Sequence, residues 1–203
     1  MGLIEEINRL KSSELKRVID RRIKEFEEAG KKQNNIFGEL CFCILTANFS
    51  AEKCIKIQKE MGKGFSFLPE KELAEELKKF GHRFPNARAN YISEARKCES
   101  EMCRIMKSDG KEMRDWLVQN VKGIGMKEAS HFLRNIGYKD VAIIDFHILD
   151  LLEREKLIIR KNMNKKFYLE VEGILEDLGK KVGLNLAELD LYLWYMETGK
   201  VLK

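Results

Sequence analysis

Between Val118 and Leu149 the chain reads VQNVKGIGMKEASHFLRNIGYKDVAIIDFHIL, and no other stretch restricts the fold as much. Gly123 and Gly125 flank Ile124 in the turn Val121-Lys122-Gly123-Ile124-Gly125. Glycine lets a backbone reverse sharply and approach another group closely. Val118, Val121 and Ile124 are apolar before and within the turn, and Ala129, Phe132 and Leu133 continue an apolar face beyond it. The expected structure is a helix end, a tight turn plugged by Ile124, and a second helix. Free N–H groups at the start of that second helix carry partial positive charge. A phosphate is their natural partner.

Two residues add chemistry to this helix-hairpin-helix pattern. Lys127 falls in the first turn of the second helix, where a cation is electrostatically misplaced. That placement favours the neutral amine, which is the nucleophilic form. Asp145 interrupts the apolar run Ala142-Ile143-Ile144-Asp145-Phe146. Taken singly, the two read as a surface lysine and a helix-capping aspartate. Together, beside a phosphate-binding turn, they point to chemistry on a nucleotide sugar.

Gly123-Ile124-Gly125-Met126-Lys127 followed by Ile144-Asp145-Phe146-His147 resembles the helix-hairpin-helix superfamily of DNA base-excision glycosylases. Within it, the chain is similar to the small second class of 8-oxoguanine DNA glycosylase/AP lyases of archaea and some bacteria. The likeness runs from about Phe37 to Lys203 and includes FGELCFCILTANFSAEKC, RFPNARANYI and LDLYLWYMETGKVLK. The turn alone is weakly specific; the turn with Lys127 and Asp145 is specific for a bifunctional glycosylase. The resemblance implies an all-α fold of two helical lobes, with the hairpin at a DNA-binding cleft. One lobe is expected from about 1–36 plus 121–203 and the other from about 37–120.

The implied activity is excision of 8-oxoguanine from double-stranded DNA, followed by a nick through β-elimination. Lys127 would form the Schiff base and Asp145 would stabilise charge on the sugar. Backbone groups of Gly123, Ile124 and Gly125 would anchor the DNA backbone, and the resemblance implies a phosphate contact for His147. It also implies a monovalent or divalent ion on the carbonyls of Gln119, Val121 and Ile124. Asn48, at an inter-helix corner, would face the base left unpaired. From the residues themselves, Phe84 beside Arg83 and Arg88 suits a wedge in the base stack, with Arg88 on a phosphate or base edge. His131 lies four residues after Lys127, hence on the same helix face, and could stack on the extruded base. Trp194 could cover its other face. In the second class a lysine at the chain end helps tell 8-oxoguanine from guanine, and Lys203 ends this chain. Other readings stay open: another damaged base, a non-catalytic DNA-binding module, or a helical interaction protein.

Bulk properties are compatible with these expectations. At 203 residues the chain suits one domain or two small lobes. Its net charge of +5 suits a DNA partner without requiring one. No signal peptide and no membrane span are expected, so the protein reads as a cytoplasmic, nucleoid-associated, prokaryotic monomer. Abundant lysine and glutamate with only three glutamines lean towards a thermophile. The five cysteines, Cys41, Cys43, Cys54, Cys98 and Cys103, read as buried small hydrophobes. No cysteine follows Cys103, so the iron–sulfur cluster of some superfamily relatives is expected to be absent.

The periodicity predicts helices throughout. One or two span 2–29, broken near Ser12-Ser13, before a polar loop at 31–35. A buried helix runs from Phe37 to Ala47, and a helix capped by Ser50 includes Lys53 to Met61. After a loop at 62–68, helices are expected at Pro69–Phe80, with the proline at the first position, and at Asn86–Lys107. The remaining spans are 111–120, 126–136, 146–154, 164–182 and 187–197.

Overall fold

Apolar spacing sets the first two helices. In the computed structural model, which describes residues 2–106 and 108–203 and, within them, not the side chains of residues 33, 34 and 103, α1 (Leu3–Lys11) buries Leu3, Ile7 and Leu10. After the Ser12-Ser13 break, α2 (Leu15–Lys31) buries Ile19, Ile23 and Phe26, a one-face stripe. The polar loop expected at 31–35 shrinks to Lys32, and α3 (Gln33–Thr46) begins directly after it. α3 is buried nearly all round from Ile36 onward, so its fold is dictated by its neighbours rather than by amphipathicity.

Ser50 caps α4 (Ala51–Met61) by accepting from the Lys53 N–H. The loop expected at 62–68 contains a helical turn, α5 (Gly64–Phe67), which buries Phe65. α6 (Glu70–Lys79) follows with Pro69 at the N-cap, one place before the expected position. The long helix expected at Asn86–Lys107 is divided. α7 (Pro85–Ala95) passes through a 3₁₀ turn at Arg96–Cys98 into α8 (Glu99–Ile105). At the break, the Arg96 Nε donates to the Phe65 carbonyl at 2.8 Å, a tertiary contact invisible in helical periodicity. Lys107, the expected last residue, lies outside the described residues.

The central motif comprises α9 (Gly110–Asn120) and α10 (Met126–Asn135). An extended connection leads to α11 (Phe146–Arg154), and α12 (Lys165–Val182) and α13 (Leu186–Thr198) complete the set. α13 starts with a reciprocal cap in which Asn185 accepts from the Glu188 N–H and Glu188 from the Asn185 N–H, each at 3.0 Å. Among the described residues the chain is helical with no strand, as expected for an all-α fold. No helix among them is long and apolar enough to cross a membrane.

The side chains separate into packed clusters. The largest joins α3 to α7 with α9 and α10, including Phe42, Leu117, Ile124, Phe132 and Val141. A second joins α1 with α11, α12 and α13, and a third wedges α2 against α13. At the lobe boundary expected at 120/121 the first cluster runs on: Val121, Ile124, Ala129, Phe132 and Leu133 bury their faces in the core of the 37–120 segment, while Met126 packs against the second cluster. Three cysteines, Cys41, Cys43 and Cys54, are buried as expected. Cys98 is only half-buried, beside the 3₁₀ turn, with its Sγ 3.3 Å from the Asn120 carbonyl. The Cys103 side chain lies outside the described residues.

Candidate active site

The turn between α9 and α10 is built as its sequence requires. Gly123 has φ +83°, a conformation that side chains disfavour. A Cβ there would also overlap the Tyr91 ring of α7. Ile124 is 6% exposed and plugs the turn. Its N–H donates to the Val121 carbonyl at 3.3 Å. Gly125 is the N-cap of α10, and its N–H donates to the Glu128 carboxylate at 3.3 Å. Lys122 reaches sideways to Asn90 on α7, at 3.0 Å, so the turn is braced from that helix.

Lys127 lies in the first turn of α10, half-buried. Its Nζ is 3.0 Å from the other oxygen of Glu128. The sequence reading considered only the helix terminus around this amine; the structure adds a carboxylate, which forms an ion pair with it. Asp145 is the N-cap of α11, accepting from the Ile148 N–H at 3.0 Å. The capping reading and the chemical reading therefore coexist: one carboxylate oxygen holds the helix, and the residue faces a cavity.

That cavity has a volume of about 680 Å³. Lys127, Asp145, His131, His147, Trp194, Lys203 and Asn48 all line it. Residues scattered over the sequence thus converge on one space. The His147 ring packs edge-on against Trp194, with centroids 4.9 Å apart. His131 meets Phe42 in the same manner at 5.6 Å. The buried His131 Nε2 and Trp194 Nε1 have no hydrogen-bond partner among the described residues. Burial pushes the His131 imidazole well below its usual range, and the Arg134 and Lys127 cations add to the effect. The ring is neutral near pH 7.

Lys203 is docked rather than frayed. Its Nζ donates to both oxygens of Glu39, at 2.7 and 2.9 Å, and to the Gln58 Oε1. The ammonium also lies 4.4 Å from the centroid of the Phe42 ring. Asn48 stands exposed at the α3–α4 corner in the left-handed region, with φ 59°. Asparagine tolerates that region better than most residues.

Phe84 is 37% exposed at the N-cap of α7, with Arg83 stacked over it. Arg88 corrects the expectation of an outward phosphate or base-edge contact. It is 8% exposed, and its guanidinium donates to the Ala47 carbonyl. An exposed cation that lines the cavity near Phe84 is Arg83. Gln119, Val121 and Ile124 do not line the cavity, and they sit at the hairpin.

Sequence reading missed several residues. Arg134 and Asp190 line the cavity as a buried ion pair at 3.7 Å. Burial raises the Asp190 carboxyl to about 6; Arg134 opposes the shift and Asp145 adds to it. Arg134 continues the helical face of Lys127 and His131, a signal that was available in the spacing. Glu39 was visible as a lone acid within an apolar helix, but its partner lies far away in sequence.

A family description, 8-oxoguanine DNA glycosylase, matches residues 19–184. The chain is 54% identical to an 8-oxoguanine DNA glycosylase/AP lyase of Methanocaldococcus jannaschii, across 100% of both chains. It is 50% identical to a protein of the same name in Korarchaeum cryptofilum, covering 99% of this chain and 98% of that one. Among solved structures, it is similar to the M. jannaschii 8-oxoguanine glycosylase/lyase in complex with 15mer DNA containing 8-oxoguanine. That match has a TM-score of 0.96 and 54% identity over 100% of each chain.

Proposed function

The chain belongs to the 8-oxoguanine DNA glycosylase family, and on that footing we propose that it excises 8-oxoguanine from double-stranded DNA and nicks the abasic strand. The observation that carries this reading is the meeting of Lys127 and Asp145 in one cavity. They come from the first turn of α10 and the cap of α11, with aromatic residues beside them.

The chemistry follows from these groups. A stacked nucleotide must first leave the duplex, at a cost of a few kcal/mol. The Lys127 Nζ, released from Glu128 and deprotonated, bonds to the anomeric carbon. The bond from that carbon to the base breaks, and its electron pair leaves with the base. Asp145 offsets the positive charge that builds on the sugar. Ring opening yields an imine between Lys127 and the anomeric carbon. Loss of a proton from the adjacent carbon then expels the 3′ phosphate. Only an amine forms that imine, which accounts for a lysine at this position.

Around this centre, the hairpin turn of Gly123, Ile124 and Gly125 anchors a phosphate, the Gly125 N–H exchanging the Glu128 carboxylate for it, and His147 holds another. Asn48 faces the orphaned base while Phe84 fills the vacated stack. His131, Trp194 and Lys203 enclose the extruded base. The carbonyls of Gln119, Val121 and Ile124 are oxygen donors that suit a hard monovalent or divalent cation. When bound, that cation would add charge for a phosphate. The protein acts as a monomer in a prokaryotic cytoplasm, at the nucleoid.

The test is incubation with a duplex carrying one 8-oxoguanine. Released base together with a strand nick on the 3′ side of the lesion supports the proposal. An intact lesion here, with cleavage of a parallel duplex that carries a different damaged base, would redirect it.

A further inference from the structure

His82 is buried beside the α3–α4 corner and touches neither Lys127 nor Asp145. It is 4% exposed, and both of its ring nitrogens are engaged. The Nε2 lies 3.0 Å from the carbonyl of Leu45, near the end of α3. The Nδ1 lies 3.1 Å from the N–H of Phe84. A carbonyl needs a donor and an N–H needs an acceptor, so one form satisfies both: neutral imidazole with its proton on Nε2. Burial shifts the ring towards that neutral form.

A second side chain makes the same link. Arg88 donates to the Ala47 carbonyl, and its guanidinium lies 5.8 Å from the Phe84 centroid and 5.6 Å from the Tyr91 centroid. Carbonyls at a helix C-terminus have no partner within the helix. Here those of Leu45 and Ala47 are taken by the two residues that flank Phe84. Phe49, just past Asn48, closes the joint with its ring 4.3 Å from that of His82. The corner that carries Asn48 and the loop that carries Phe84 are therefore one unit. They are far apart in sequence and are stitched by two side chains through main-chain groups.

We propose that His82 is a positioning residue for nucleotide extrusion, holding Phe84 at a fixed offset from Asn48. The inference rests on the reading of those two residues as the pair that fills the stack and meets the orphaned base. Extrusion from an intact pair needs both groups in register. A lesion with no opposing base leaves the stack at lower cost and needs them less.

The experiment compares single-turnover release of 8-oxoguanine from two duplexes. In one the lesion faces cytosine, and in the other it faces an abasic site. His82→Leu keeps the bulk and removes both hydrogen bonds. It is expected to slow release from the cytosine duplex by at least about tenfold and from the abasic duplex by less than about threefold. His82→Gln keeps an N–H donor and an acceptor and is expected to stay within about threefold of wild type on both. Equal losses of His82→Leu on the two duplexes, no loss at all, or His82→Gln as impaired as His82→Leu would overturn the inference. Wild type that releases the lesion from neither duplex would instead overturn the functional reading, and the inference with it.

Discussion

The Lys203 ammonium sits in a socket formed by Glu39, donating to both of its carboxylate oxygens at 2.7 and 2.9 Å. The two side chains are 17% and 13% exposed, so neither is fully solvated. Gln58 and Asn135 also donate to Glu39, at 3.0 and 3.2 Å, which ties α3, α4 and α10 to this residue. Truncating one partner strands the other where water reaches it poorly. Lys203→Ala and Glu39→Gln are each expected to cost about 2 kcal/mol of stability, with a coupling energy above about 1 kcal/mol in a double-mutant cycle. Both are also expected to lower the preference for 8-oxoguanine over guanine. Denaturant melts and paired excision assays check the two parts.

Asp190 links stability to pH. Its native carboxyl is raised from 3.8 to about 6, chiefly by burial. A raised native pKa means that the folded state holds the proton more tightly than the unfolded state. The resulting stability is complete below the unfolded pKa and is lost as pH rises through the folded one. Between pH 4 and 7 the wild type is therefore expected to lose roughly 2 kcal/mol relative to Asp190→Asn. Parallel urea melts across that range measure the difference. A constant gap would show that Asp190 does not titrate there.

Gly123 faces two separate restrictions, its φ of +83° and the Tyr91 ring beneath it. Gly123→Ala is expected to destabilise the protein by at least about 2 kcal/mol and to weaken binding to any DNA sequence alike. Adding Tyr91→Ala removes the overlap but not the backbone strain, so only part of the loss should return. Thermal melting of the single and double variants reads this directly.

Much of the site is legible in the sequence because its signals are local. The hairpin shows in Gly123, Ile124 and Gly125, and Lys127 and His131 share a face by spacing alone. Asp145 is visible as a charge in an apolar run. What escapes is long-range pairing. Arg88 sits in a basic, aromatic segment and looks like a surface cation, yet the Ala47 carbonyl draws it inward. The second half of the hairpin, from residue 121, is expected with the C-terminal helices that follow it. Its apolar face instead completes the core around α3, and chain order carries no record of that. Asp190, between Leu189 and Leu191, carries no local sign of its partner, the buried Arg134.

The central claim is that Lys127 bonds covalently to the sugar of an excised 8-oxoguanine. Borohydride added to a mixture of protein and damaged duplex reduces such an imine to a stable adduct. Wild type and Lys127→Gln should be run side by side, with undamaged duplex as control. The expected result is a protein–DNA adduct for wild type on damaged DNA only, and none for the variant. An adduct that persists in Lys127→Gln, or free base released by wild type with no adduct, would contradict the account.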